Sequence, residues 1–220
     1  MPSPPDERAL KNLVQTKFAH PDRITIQGVQ SRVKPLTLAA LLSLALSQAP
    51  ATLTDPEAYA VYSALIATDS FVRGARPTEL LIQGATDAGG TVRCAPSGPD
   101  LSGPWVEALT DLNAQRGKTE LFERQFSLPV AYRFETRETL QSFFTAAGPG
   151  WDAFHAAYPK SRGFIRLSAV GFDRPHQHAI VHMAHSCGGL CGESAYHFLQ
   201  RTTHGWDEVR LKVNPCLVVS

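Results

Sequence analysis

The hydrophobic pattern along the chain changes period near residue 160. Before that point, apolar residues recur at the 3.6-residue spacing of amphipathic helices. The clearest helix runs from Asp55 to Thr68, where Asp-Pro-Glu supplies an N-cap, a first-turn proline and an early acidic side chain. Further helical patterns cover Trp105–Gln115, the segment after Thr136, and Trp151–Tyr158.

After residue 160 the pattern becomes a series of strand-length runs bounded by Gly, Pro, Asp and Asn. The runs cover Gly163–Phe172, His178–His185, Ala195–Arg201 and Trp206–Val213, with a short edge at Cys216–Ser220. Consecutive strands joined by short turns predict an antiparallel meander. Two earlier runs, 78–83 and 128–134, also predict strands. The order of elements predicts an α+β fold, with helices packed on one face of a mostly antiparallel C-terminal sheet.

A hydrophobic segment ahead of this domain predicts export. Arg32 and Lys34 lead into an apolar run, 36–46, and the small residues Ala49 and Ala51 follow it. A basic start, a short apolar centre and an A-x-A site predict a signal peptide at 32–51, and a single α+β domain at 52–220. The run is too short to span a bilayer. The alternative is a buried helix, 36–47, in a cytosolic protein, but it would be apolar on every face.

The first 31 residues are more than a signal peptide needs before its basic region. Their Pro, Asp and Arg content is typical of a loop. We therefore predict that 1–31 is a non-native or disordered leader. Translation that starts at Val29 or Val33 instead of Met1 would place the basic cluster at the start of the signal peptide.

Composition and charge narrow the class of protein. A hydrophobic content of 43% excludes a disordered chain. The 21 Lys and Arg against 20 Asp and Glu leave a net charge of +1, so no nucleic-acid partner is expected. No membrane span is predicted after the signal peptide, and phosphate-cradling and dinucleotide-binding glycine motifs are missing from the sequence.

The cysteines fit an oxidising compartment. All of them follow the predicted cleavage site, at Cys94, Cys187, Cys191 and Cys216. An even number of cysteines in an exported chain predicts two disulfides, and the sequence leaves three pairings open. Cys94 lies in a loop predicted at 84–104.

The block Cys187-Gly-Gly-Leu-Cys191-Gly allows three interpretations. A disulfide that closes a tight turn is favoured, because the glycines permit positive φ angles. A redox-active dithiol is disfavoured, because no helix begins there to lower a thiol pKa. A metal site is the third interpretation, in which the block contributes two thiolates.

Histidines near this block define the candidate metal site. His176, His178 and His182 share one parity on a predicted strand and would face the same side. A zinc or copper site would draw on His176, His178, His185, Cys187 and Cys191. His178 and His182 on one strand lie about 13 Å apart, which is too far for both to bind one metal ion. Surface histidines on the open face of a sheet are the favoured interpretation, with no cofactor.

Signals of hydrolytic chemistry are weak. Ser168 lies mid-strand without a nucleophile elbow, and the spacing of Glu193 and His197 carries no special meaning. We predict no catalytic residues, and the sequence disfavours an enzyme.

From Trp151 onward the chain resembles an uncharacterised family of exported bacterial proteins. The matching segments are Trp151-x-x-Phe154, Tyr158-Pro159, Gly163, Ser168-x-Val170-Gly171-Phe172, Ala179-x-Val181, CGGLCG at 187–192, and Trp206; Glu57–Ile66 and Val218–Ser220 also match. The resemblance implies export and a single domain, and it implies no activity. The sequence thus predicts an exported periplasmic or extracellular protein that acts as a non-catalytic binding or accessory module, with metal binding as the alternative.

Overall fold

The computed structural model describes residues 49–75, 77–88 and 94–219. The predicted leader, 1–31, and the signal peptide as far as residue 48 lie outside the described residues. Cleavage after Ala51 would divide a short strand, β1 (Ala51–Thr52). Within the part of the chain that the structure describes, no helix has the length and hydrophobicity to cross a membrane.

Four of the described helices begin close to where the sequence predicts them, and a fifth, Ser70–Ala75, was not predicted. They are α1 (Pro56–Thr68), α2 (Ser70–Ala75), α3 (Pro104–Ala114), α4 (Arg137–Ser142) and α5 (Gly150–Ala157). At the start of α1, the Asp55 carboxylate accepts a hydrogen bond from the backbone N–H of Glu57 at 2.8 Å, and Pro56 occupies the first turn. The predicted N-cap of this helix is therefore confirmed.

The strands form one large curled sheet and one small pair. Those of the large sheet are β2 (Glu79–Gln83), β4 (Ala131–Glu135), β5 (Phe164–Phe172), β6 (His178–Gly188), β7 (Cys191–Thr202), β8 (Gly205–Glu208) and β9 (Val218–Val219). Its order is β4–β2–β5–β6–β7–β8, and β9 pairs with β7. The small pair joins β1 to β3 (Glu120–Leu121). The antiparallel meander is confirmed for β5 to β8, whereas β4, β2 and β5 pair in parallel.

The strand predicted at Trp206–Val213, which corresponds to β8, is shorter than predicted. It ends at Glu208 instead of Val213, and the next residue, Val209, still donates a backbone hydrogen bond to Phe198 at 2.8 Å. Beyond it, Leu211 and Val213 pack against the core without a strand partner. The segment after Glu208 is irregular, but its alternating apolar residues pack on the core. This alternation is what resembled a strand in the sequence.

The helices cover both faces of the large sheet. Val181 of β6 belongs to the apolar cluster of α1, whereas its neighbour Ile180 belongs to the cluster that contains Trp105 of α3. Successive strand residues point to opposite faces, so α1 and α3 lie on opposite sides. The α4 and α5 helices pack over Phe164, which shares the α3 side. The prediction that the helices pack on one face is therefore wrong, because the central strands are apolar on both sides and need cover on each.

Gly171 of β5 explains how closely α3 approaches the sheet. A Cβ atom at this position would collide with the carbonyl oxygen of Ala108 and with Leu112, both in α3. The helix is held there by side-chain bonds to strand backbone: Asp111 accepts from the N–H of Phe172 at 3.0 Å, and Gln115 donates to the carbonyl of Val170 at 2.9 Å. These contacts hold α3 against the face of the sheet on which the candidate site lies.

Candidate functional site

The cysteines form the two predicted disulfides. Cys94 bonds to Cys216 across 122 residues, and Cys187 bonds to Cys191 across the tip of the β6–β7 hairpin. The favoured interpretation of the Cys187–Cys191 block, a disulfide that closes a tight turn, is therefore confirmed, and the pairing of the other two cysteines is defined. In this state Cys187 and Cys191 present no thiolate, so the hairpin tip has the structure of a closed turn. Leu190 at this tip is 95% exposed.

Two of the predicted metal-binding histidines point to opposite sides of the sheet. His176 lies in the turn before β6 with a φ of 52°, and its Nδ1 atom is 2.7 Å from Oε2 of Glu57 on α1. His178 begins β6, with its Nδ1 atom 2.8 Å from Oδ2 of Asp173 and its ring edge-on to Trp105 of α3. The shared parity fails because the strand begins only at His178, after a left-handed residue.

His185, the third histidine of the predicted metal site, does not face the same side of the sheet as His178. It lies on β6 at odd spacing from His178, opposite Glu193 of β7, so the two histidines face different sides of the sheet. The structure therefore does not bring His176, His178, His185, Cys187 and Cys191 together. Among the described residues, no group of three or more His, Cys, Asp or Glu side chains is arranged to hold a metal ion.

The residues considered for hydrolytic chemistry are engaged elsewhere. The hydroxyl of Ser168 donates to the carbonyl of Ala169 at 2.6 Å and accepts from the backbone N–H of His182 at 2.9 Å. The Nδ1 atom of His197 lies 2.7 Å from Oε1 of Glu208 rather than against Glu193. The hydrogen bond from His197 lowers the pKa of Glu208 despite partial burial of the carboxylate.

A cluster of three charged side chains stands out on the side of the sheet that carries α3 and α4. An NH1 nitrogen of Arg166, on β5, lies 3.8 Å from Oδ2 of Asp87, and an NH1 nitrogen of Arg137, the first residue of α4, lies 4.0 Å from Oδ1. The Asp87 side chain is only 9% exposed, whereas Arg166 is 30% and Arg137 is 43% exposed. The cluster therefore presents guanidinium groups to solvent and keeps its carboxylate behind them.

Local backbone contacts place each member of the cluster. Asp87 follows β2, and its backbone N–H donates to the carbonyl of Leu167 at 2.6 Å, which ties it beside β5. Arg137 is held by the N-cap of α4, where the hydroxyl of Thr136 accepts from the N–H of Thr139 at 3.1 Å. Arg166 stands opposite Ala184 of β6, a small residue that leaves space above the sheet.

One donor of Arg166 has no partner in the described structure. Its Nε atom is buried and makes no hydrogen bond to any described residue. Buried donors in folded proteins are nearly always satisfied, and a charged one that lacks a partner carries a large desolvation cost. The described residues therefore supply no acceptor for this donor.

A cavity of about 440 Å³ lies between α4 and the sheet, and Arg166 is among the residues that line it. We call it the arginine cleft; the lining residues used below are Arg137, Leu140, Phe144, Phe164, Arg166 and Ser186. Its size lies within the range of about 300–1,000 Å³ that is usual for small-molecule sites. A second cavity of about 570 Å³ lies over the carboxyl ends of β2 and β4 and shares Gln83 and Arg137 with the cleft.

His182 lies deeper on the same side, in a cavity of about 20 Å³ that Asp87, Arg116 and Tyr196 also line. Burial lowers the pKa of His182 to about 4; the positive charges of Arg166 and Arg116 act in the same direction, and Asp87 opposes them. The imidazole is therefore neutral near pH 7. The hydroxyl of Tyr196 accepts a hydrogen bond from Arg116 at 3.3 Å.

The sequence did not point to the arginine cleft because its residues come from separate segments. Gln83, Arg137 and Arg166 of the cleft are distant along the chain and match no motif, and so is Asp87, which pairs with both arginines. One signal was present: Arg166 interrupts the apolar run Gly163–Phe172, and a charged residue within such a run is rarely placed there without a partner or a ligand.

The buried His182 predicts a stability that falls in mild acid. Its folded pKa of about 4 lies below the value near 6.5 of an unfolded histidine, so between these values only the unfolded chain takes up the proton. Stability is fully present above pH 6.5 and is lost as the pH falls towards 4, by about 2 kcal/mol at pH 5. Urea unfolding at pH 7 and pH 5 measures this loss.

In His182→Gln, the part of this stability loss that His182 causes should disappear. The control variant His204→Gln, at an exposed histidine, should lose as much stability between pH 7 and pH 5 as the wild type. Comparison with these variants cancels the contribution of other titrating groups. An equal loss in the wild type and in His182→Gln would show that His182 is not the group responsible.

Comparison of the chain with family models, with curated proteins and with solved structures finds no match. The resemblance to a family of exported bacterial proteins stays a prediction.

Proposed function

We propose that this protein is an exported, disulfide-stabilised binding module that holds a small anionic ligand in the arginine cleft. The observation that carries the proposal is that the side chains of Arg166 and Arg137 line one cavity, whose described lining residues include no Asp or Glu. Both guanidinium groups are partly exposed while the Asp87 carboxylate is buried behind them. Arginine groups in a cavity recognise carboxylate and phosphate oxygens through charge-assisted hydrogen bonds.

Export is supported by the disulfides and by the signal-peptide pattern at 32–51. Stable disulfides persist in oxidising compartments and are rare in the cytosol of mesophiles. The long Cys94–Cys216 bond fits a protein that folds outside the cytosol. An intact mass that begins at Thr52 would support export, and a mass that begins at Met1 in the protein recovered from cells would contradict it.

A binding role without catalysis is supported by the state of the neighbouring polar groups. The Ser168 hydroxyl is engaged with backbone groups, and the low pKa of His182 makes its imidazole a weak base near pH 7. General bases work best with a pKa close to the working pH. The features of the cleft are those of recognition: two positive charges, neutral polar groups and apolar walls.

The proposal predicts that small anions perturb the arginine side chains of the cleft. In a titration of the ¹⁵N-labelled protein with acetate and with inorganic phosphate, the Nε–H signals of Arg166 and Arg137 should shift and saturate. The Nε–H signal of Arg174, on the exposed β5–β6 turn, should stay in place. Arg166→Gln should abolish the saturable shift at Arg137, and Arg174→Gln should leave it intact. A uniform response of all arginines, or none, would contradict the proposed site.

A further inference from the structure

The walls of the arginine cleft separate into a charged end and an apolar side. Arg166 and Arg137 supply the charged end. Leu140, Phe144 and Phe164 supply the apolar side, and Phe144 remains 38% exposed although its ring contacts Trp151 at a centroid distance of 4.5 Å. A partly exposed aromatic ring at a cavity wall offers apolar surface that an occupant would cover.

The charge balance of the cleft suits a single negative charge. Two guanidinium groups and the Asp87 carboxylate leave one net positive charge in the cluster. The described residues that line the cleft include no Asp or Glu side chain. A carboxylate matches both this charge and the planar, forked geometry of an arginine donor, whereas a phosphate dianion would be only half neutralised.

We propose that the ligand is a small monocarboxylic acid with an aromatic or aliphatic body. Its carboxylate accepts hydrogen bonds from the guanidinium group of Arg166, with Arg137 as the second cation. Its apolar body lies against Leu140, Phe144 and Phe164, where it displaces water from exposed apolar surface. This inference depends on the proposed function of the cleft and specifies the class of ligand that the cleft selects.

The ligand class is tested with three probes that separate charge from apolar contact. The probes are 4-phenylbutyrate, its uncharged counterpart 4-phenylbutyramide, and acetate, each titrated into the purified protein by calorimetry or by NMR. We expect 4-phenylbutyrate to bind at least about tenfold more tightly than either of the others, because only it uses both parts of the cleft.

Two variants separate the contributions. Arg166→Gln should weaken 4-phenylbutyrate by at least about tenfold and remove acetate binding. Phe144→Gln should reduce the preference for 4-phenylbutyrate over acetate and leave acetate binding unchanged, since Phe144 contributes only apolar surface. Val106→Gln is the matched control, because Val106 is 46% exposed on α3 and lies outside the cleft. It should behave as the wild type, and thermal unfolding checks that each variant is folded.

The outcomes distinguish this inference from the proposed function. If acetate binds as tightly as 4-phenylbutyrate, the apolar part of the inference is wrong although the cleft still binds anions. If the amide binds as tightly as the acid, the carboxylate part is wrong. If none of the probes binds and Arg166→Gln changes nothing, the proposed function fails together with the inference.

Discussion

Replacing Cys94 and Cys216 together with alanine should lower the free energy of unfolding by about 3–5 kcal/mol. The bond closes a loop of 122 residues, and the loop-closure entropy that a disulfide removes from the unfolded chain grows with loop length. Cys216 is also buried in the cluster that includes Trp105 of α3. Denaturant unfolding under non-reducing conditions measures the change.

The second disulfide provides the matched control. Cys187 and Cys191 are four positions apart, so replacing both with alanine should cost no more than about 2 kcal/mol. The two double variants remove the same atoms and differ mainly in the loop that each bond closes. Equal losses would show that loop length does not set the cost of losing each bond. A Cys94/Cys216 variant as stable as the wild type would show that the long bond does not stabilise the fold.

Phe154→Ala should cause a loss of similar size, about 3–5 kcal/mol. Phe154 of α5 is fully buried, and its ring contacts Tyr158, Trp151 and Phe143 at centroid distances of 5.0, 5.2 and 5.6 Å. Removal of the ring leaves a cavity among aromatic side chains that relax only in part. Thermal or urea unfolding measures the loss.

This substitution should also affect the arginine cleft. Phe154 packs beside Phe164 and Phe144, which form the apolar wall, at centroid distances of 5.8 and 6.0 Å. We expect Phe154→Ala to weaken 4-phenylbutyrate binding, while Phe154→Leu, which keeps most of the volume, should lose less stability and less affinity. If Phe154→Ala is as stable as Phe154→Leu, the cluster of α4 and α5 is not packed as described.

The elements that depend on local pattern were predictable. The start of α1 follows from Asp55, Pro56 and Glu57, because capping is decided by residues next to each other in the chain. The strands β5 to β8 follow from short apolar runs and turn residues, and neighbouring strands joined by short turns pair with each other.

The arrangement of distant segments was not predictable. β2 and β4 join the sheet in parallel, and the partners of parallel strands are separated by long crossovers that local pattern does not describe. The placement of α1 and α3 on opposite faces depends on both sides of β6 being apolar, since alternation does not assign a helix to a face. The Cys94–Cys216 bond likewise joins segments that only the fold brings together, whereas the Cys187–Cys191 bond was favoured from the sequence because it closes a tight turn.

The candidate site shows the same limit. The cysteine and histidine block drew attention because its residues are close in sequence, yet the fold points His176 and His178 in opposite directions. The arginine cleft combines Arg166 of β5 with Arg137 of α4, and both pair with Asp87 after β2; these residues meet only in the folded chain. The interruption of an apolar strand by Arg166 was the one local trace of it.

The most direct test of the arginine cleft as a binding site is a crystal structure of the protein with 4-phenylbutyrate. We expect the carboxylate within hydrogen-bond distance of the guanidinium group of Arg166, and the phenyl ring against Phe144 and Phe164. A ligand bound elsewhere, or a cleft that stays without ligand at a concentration that saturates binding in solution, would contradict the central claim.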